Sequence, residues 1–324
     1  MTSTAPPARG VRHDWAGLPA PVRAAVEDIL GAPVTEARTQ NGGFSPGVAA
    51  RVRLADGGRA FVKAVSARVN AGSPDLHRAE IRHTALLPAH APVPRLLGSH
   101  DDGTCVALVL EDIDGRQPAV PWDREELDRV LTAVGDLARH LTPAPAGVPA
   151  VAERKARMFT GWRTLHAAGD TGRLDPWAAR RLADLARLET RWPGAAAGNT
   201  LAHSDLRADN ILLTGDRTVF VDWPHAVRAA PWFDLLVMLP CVAAQGYASG
   251  EGSPDPEALF SAHPLGRDAD PEAVTAVLAA IAGYFAENAL RPDPPGLPTL
   301  RAFQAAQGAA ALDWLRRRLG ERPR

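Results

Sequence analysis

The stretch HSDLRADN, His203 to Asn210, runs straight into apolar ILL, and after TGDR comes a second apolar run, TVFVDWP, that carries Asp222. A polar loop, a short β-forming run, turn chemistry and a second such run read together as a tight antiparallel hairpin. The hairpin brings Asn210, where its first strand begins, close to Asp222, where its second strand ends. Two hard oxygen donors facing a cleft suit Mg²⁺ carried by a nucleotide. Asp205, earlier on the loop, is then left to orient an attacking hydroxyl.

The rest of the chain divides by the period of its hydrophobic pattern. Residues 19–34 carry helical spacing at Val22, Val26, Ile29 and Leu30, with Gly31 as the stop. Residues 48–54 and 59–65 are β-type runs joined by ADGG, a strong hairpin signal. A helix follows, with Ser73 expected as N-cap and Pro74 at its first position. From about residue 116 the period becomes helical. Leu127, Val130, Leu131, Val134, Leu137 and Leu141 share one face, and further helices are expected over 151–168, 176–191, 230–243, 271–288 and 300–319. The pattern predicts an α+β, two-lobed chain: a polar tail over 1–14, a strand-rich lobe over 15–111, a hinge at 112–115 and a larger helical lobe over 116–324. A cleft between the lobes is the expected binding site.

Three features of the first lobe point to that cleft. NGGFSPG places Gly42, Gly43 and Gly47 between two elements, where backbone N–H groups can approach phosphate oxygens; a turn needing positive φ accounts for the same glycines. Lys63 lies on the strand returning from that loop and is one of only two lysines, with Lys155, in an arginine-rich chain. Arginine cannot mimic a compact ammonium between phosphates, so a retained lysine carries information. Glu80, on the following helix, is placed to pair with it.

Composition excludes some classes. With 324 residues, 46% hydrophobic, 23% charged and a formal net charge of −1, the chain offers no electrostatic case for nucleic acid or a membrane surface. No stretch is long and apolar enough to span a bilayer. Cys105 and Cys241 lie in apolar surroundings without metal-type spacing and read as buried thiols, which fits a reducing cytoplasm.

Taken together, GGFSPG, Lys63, Glu80, HSDLRADN, VDWP and WFDLL resemble the aminoglycoside phosphotransferase family, small-molecule kinases of the protein-kinase-like fold. The resemblance covers roughly residues 37–236. It implies that Asp205 is the catalytic aspartate, that Asn210 and Asp222 bind Mg²⁺, and that Lys63, held by Glu80, contacts the α- and β-phosphates of ATP or GTP. It further implies that Gly42, Gly43 and Ser45 cover the phosphates, that the backbone near Glu111 and Ile113 receives the base, and that Asp234 braces the catalytic loop. Arg207 stands where the family often has His or Ser, and is expected to reach the transferred phosphoryl group.

Only WPHAVRAAPWF separates Asp222 from Asp234, and no A-P-E occurs. That is too short for a protein kinase's activation segment, so a small-molecule hydroxyl acceptor is expected. A non-catalytic, kinase-shaped binding protein is the other reading, and the full set of catalytic positions argues against it. The acceptor is open among aminoglycosides, other antibiotics, choline, homoserine and sugars. Glu251, Asp255, Glu257, Asp268, Asp270 and Glu272 form an acidic run that reads either as a wall for a cationic acceptor or as a solvated loop.

Overall fold

The structure is a computed structural model that describes residue 6 and residues 12–320, apart from 41, 45, 69, 71, 170, 250, 251 and 295. Strand β1 (Arg12–His13) and helix α1 (Ala20–Leu30) come first. Gly31 ends α1 at φ 75°, with its N–H on the Glu27 carbonyl, a left-handed position that glycine takes without strain. Then follow β2 (Val34–Thr39), β3 (Gly47–Leu54), β4 (Arg59–Ser66), α2 (Ser73–Leu86), β5 (Leu96–Asp101) and β6 (Cys105–Leu110).

These strands form one sheet in the order β1-β3-β4-β6-β5, with β2 also paired to β3. Only the β1–β3 pairing is parallel. Side chains alternate faces along a strand. Val48, Ala50, Val52, Val62, Ala64, Ala107 and Val109 therefore share one face and pack with Val22 and Val26 of α1. Ala49, Lys63 and Leu108 are partners in adjacent strands on the opposite face, which α2 covers in part. The alternation itself turns Lys63 away from the first core.

The second lobe begins with α3 (Arg124–His140), whose first turn is capped by Asp123 accepting from the Glu126 N–H. It continues through α4 (Val151–Lys155), α5 (Gly161–Ala168), α6 (Pro176–Arg180), α7 (Leu182–Glu189) and α8 (Trp192–Ala195). Next come β7 (Thr200–Ala202), β8 (Ile211–Leu213), β9 (Thr218–Phe220), β10 (Val227–Ala229), α9 (Phe233–Gln245), α10 (Pro256–Ala262), α11 (Pro264–Arg267), α12 (Pro271–Ala289) and α13 (Leu300–Arg318). The sequence-expected hairpin is β8–β9, with Ile211 opposite Phe220 and Leu213 opposite Thr218. Helix α12 is buried nearly all round, so its alanine-rich sequence lets α5, α7, α8, α9 and α13 approach it closely.

Several local expectations are corrected. Arg12 and His13, read as part of a tail, pair with Gly47 and Val48. Gly72 takes the N-cap of α2 in place of Ser73, and the Asn70 side chain accepts the Gly72 and Ser73 N–H groups. The helix expected over 151–168 breaks after Lys155, and in the break Phe159 is buried edge-on against Trp192 at 5.0 Å. The acidic run is only partly loop in its described part: Asp255 and Asp270 cap α10 and α12 from the connections before them, and Glu257, on α10, binds Arg318 at 2.7 Å. Glu251 lies outside the described residues.

A very close backbone approach in the helical lobe joins α5 and α12. A Cβ on Gly161 would fall 1.9 Å from the Gly283 carbonyl oxygen. Gly161→Ala is expected to cost about 3 kcal/mol of stability through overpacking, read as a lower urea midpoint. Gly194→Ala, where nothing lies within 4 Å, should leave the midpoint unchanged or raise it.

Candidate active site

Lys63 is the meeting point of the two lobes. Its Nζ lies 2.8 Å from both carboxylate oxygens of Glu80 on α2 and also donates to Asp222, which follows β9. Burial pushes the Glu80 carboxyl up to about 7, against the pull of Lys63. Burial opposes the ionisation of Asp222 too, but the charge and hydrogen bond of Lys63 outweigh it and hold that carboxyl well below its ordinary range. One ammonium thus serves a buried carboxylate, Glu80, and a half-buried one, Asp222.

The loop after β7 is held from behind. Asp234, at the start of α9, accepts the N–H groups of His203 at 2.8 Å and Ser204 at 2.7 Å. The His203 ring places Nε2 2.9 Å from the Val221 carbonyl and accepts the Asp205 N–H on Nδ1 at 3.3 Å, so its partners put the proton on Nε2. Ser204 and Asp222 are the two described non-glycine residues at positive φ, 62° and 73°. Backbone strain of this kind persists where the surroundings over-determine it, and here the bonds to Asp234 and Lys63 do so.

Asp205 is clamped by Arg207, whose Nη1 lies 2.7 and 2.8 Å from its two oxygens, while Nε and Nη2 bind Asp209 at 2.9 and 3.0 Å. The guanidinium thus bridges two carboxylates of its own loop. Asn210 donates Nδ2 to the Asp205 carbonyl at 2.8 Å, which leaves its amide oxygen to face outward. The Val221 N–H on the Asn210 carbonyl, 3.0 Å, ties Asn210 to the residue before Asp222.

Two cavities meet at Asp222. One, of about 550 Å³, is lined by Gly42, Gly43, Lys63, Glu111, Ile113 and Asn210 among others. The second, of about 520 Å³, is lined by Asp205, Arg207 and a largely apolar wall that includes Phe44, Phe159, Tyr284 and Phe303. Glu80 stands behind Lys63, and Ser45 lies outside the described residues. Gly47, at φ 102°, has no room for a Cβ, which would sit 2.5 Å from the Ala64 carbonyl. In the connection 112–115, Asp112 is bound by Arg51 at 3.4 Å and Arg59 at 2.7 Å.

Sequence reasoning missed Arg12, which lines the first cavity and donates to the Gly42 carbonyl. It also missed Lys155, which lines the second. Arg12 carried no local signal, whereas Lys155 did, as the other lysine of the chain. None of the acids 255, 257, 268, 270 and 272 lines the second cavity.

The donor set suits a nucleotide-borne Mg²⁺. That ion takes one or two carboxylates and completes its shell with phosphate and water oxygens; Asp222 and the free amide oxygen of Asn210 match this, and no cluster of three or more acidic, His or Cys groups is needed or found among the described residues. Among the described residues no helix is long and apolar enough to cross a membrane.

A strand-rich lobe, a helical lobe and an interlobe lysine held by two acids define an α+β, protein-kinase-like enzyme. The sequence profile of the phosphotransferase enzyme family, APH, matches residues 41–268, and the chain belongs to that family. A homoserine kinase of Methylobacterium nodulans is 31% identical over 138 residues, which span 41% of this chain and 40% of that protein. The crystal structure of a thermostable aminoglycoside phosphotransferase APH(4)-Ia with ADP and hygromycin B superposes with a TM-score of 0.60 at 13% identity, covering 91% of this chain and 98% of that one. Choline kinase LicA from Streptococcus pneumoniae gives 0.57 at 13% identity, covering 90% and 98%.

Two histidines beside the site make stability depend on pH. Burial lowers His77 and His225 from 6.5 to about 4. Both bind protons more readily when unfolded, so their contribution is complete above pH 6.5 and is lost as pH falls toward 4. The melting temperature is expected to fall through that window, by an amount equivalent to a few kcal/mol, on the order of 1.4 kcal/mol per unit of pKa shift. His77→Gln should flatten the curve there; an unchanged profile would refute this origin.

Proposed function

We propose that the protein transfers the γ-phosphoryl group of ATP or GTP to a hydroxyl of a small molecule. The observation that carries this reading is the placement of Asp205 and Lys63 in two separate cavities that share Asp222 as a wall. A nucleotide in the first cavity and an acceptor in the second meet where these three residues converge.

Lys63 neutralises charge on the α- and β-phosphates, and Glu80 keeps it in place when Asp222 turns to other work. Asp222 and Asn210 would hold Mg²⁺, which would supply neutralisation of phosphate charge. Gly42 and Gly43 let the backbone approach the phosphates. Glu111 and Ile113 receive the base. The Glu111 N–H is already bonded to the Arg95 carbonyl and the Ile113 carbonyl to the Gly115 N–H, which leaves the Glu111 carbonyl and the Ile113 N–H for it. Asp205 orients the acceptor hydroxyl and takes its proton as the new O–P bond forms and the bond to the β-phosphate oxygen breaks. Arg207 holds Asp205 in position rather than contacting the phosphoryl group. A nucleotide substrate and two buried free thiols support a cytoplasmic site of action.

The acceptor cavity does not favour a polycation, because its two acids are already paired with Arg207 and Lys63. Aminoglycosides belong in the test as one arm, and L-homoserine, suggested by the Methylobacterium relative, as another. The test is ADP or GDP release with Mg²⁺ across these, choline, sugars, hydroxy acids and macrolides. Acceptor-stimulated release is expected, falling at least about a hundredfold in Asp205→Ala. Arg207→Ala should lower kcat more than it raises KM. Nucleotide binding with no release across the panel would favour a non-catalytic binding protein.

A further inference from the structure

The second cavity holds one cation whose role in phosphoryl transfer is unaccounted for. Lys155 closes α4, is 4% exposed and lines this cavity together with Asp205. The other charged side chains of the lining are matched: Arg207 with Asp205 and Asp209, and Asp222 with Lys63. His77 and His225 also line it, and burial keeps both imidazoles uncharged at neutral pH. Among the described residues, Lys155 has no hydrogen-bond acceptor and no carboxylate within ion-pairing distance.

A buried charge without a partner is costly, and native structures satisfy such groups or use them. Burial lowers the Lys155 ammonium to about 8; the charge of Asp205 opposes this most, Arg154 adds to the lowering, and Asp234 opposes it to a smaller extent. At neutral pH the group therefore remains mostly charged and lacks a close counter-ion. The surrounding wall supplies none: Met158, Phe159, Ile281, Tyr284, Phe285 and Phe303 are apolar or aromatic.

We propose that Lys155 is the recognition point for a carboxylate on the acceptor, so that the substrate is a hydroxylated carboxylic acid with an apolar or aromatic body. The proposal rests on the phosphotransfer reading for the identity of the ligand as acceptor. A single ammonium matches a single negative charge, whereas a phosphate or sulfate ester calls for several donors converging on its oxygens. The hydroxyl goes to Asp205, the carboxylate to Lys155 and the body against the aromatic wall.

The test uses 6-hydroxyhexanoate, 4-(hydroxymethyl)benzoate and L-homoserine, each paired with its methyl ester, and kanamycin as a cationic comparison. Binding is measured by calorimetry on the full chain with a non-hydrolysable ATP analogue and Mg²⁺, and ADP release is followed separately. At least one acid should bind about thirtyfold or more tightly than its ester, as expected for losing a hydrogen bond between charged groups. Lys155→Met should bring acid and ester to equal affinity by weakening the acid alone, with nucleotide affinity unchanged as the check on folding. Where the acid is turned over, the variant should raise KM more than it lowers kcat. Equal loss for acid and ester, binding of none of the acids, or preference for kanamycin would each overturn the proposal. An acid that binds through Lys155 without ADP release would uphold the anion site and count against phosphotransfer instead.

Discussion

The architecture depends on one shared cation. Lys63 reaches from β4 of the first lobe to Glu80 on α2 and to Asp222 beyond the β8–β9 hairpin of the second. Burial raises the carboxyl of Glu80, while the charge and hydrogen bond of Lys63 hold that of Asp222 low. Such a network is costly when half satisfied. Its value lies in geometry: it fixes the sheet, α2 and the hairpin relative to one another at the point where two cavities adjoin.

The catalytic-loop region is held in tension against that anchor. Ser204 and Asp222 both adopt a left-handed backbone that ordinary side chains avoid. Asp234 takes two backbone N–H groups from the loop, His203 links the loop to Val221, and Ser204 bonds the His225 carbonyl at 2.6 Å. Each bond joins the loop on one side of the hairpin to the segment on the other. Strain at Ser204 and Asp222 is therefore sustained by the same contacts that aim Asp205 and Asp222.

Much of this was legible before any coordinates. The hairpin bringing Asn210 beside Asp222 followed from turn chemistry between two short apolar runs. The Lys63–Glu80 pair followed from a lysine retained in an arginine-rich chain. What was not legible depended on long-range packing. The helix expected over 151–168 breaks, with Phe159 packed on Trp192 in the break, and Arg12 joins the nucleotide cavity because β1 pairs with β3. The acidic run was readable as charge but not as caps and ion pairs, since those partners lie up to sixty-one residues away in sequence, as with Glu257 and Arg318. Arg207 was placed on the right loop, but its bonds to Asp205 and Asp209, two residues to either side, were not anticipated, because spacing along a chain does not say where a guanidinium points.

The two lysines show how the same side chain divides between structure and recognition. Lys63 sits on a strand whose alternation points it at the cleft, and two carboxylates compensate its burial. Lys155 sits at the end of a short helix, just before the buried Phe159, and among the described residues no carboxylate pairs with it at close range. A compact ammonium on a flexible stem tolerates either situation, but only the second leaves charge available to a ligand. Lys155 and Phe159 line the same cavity, so the break between α4 and α5 sets this positive charge beside an aromatic wall. On the proposed assignment, the acceptor's recognition comes from the break between α4 and α5, while Lys63 in the adjoining cavity is held by the sheet.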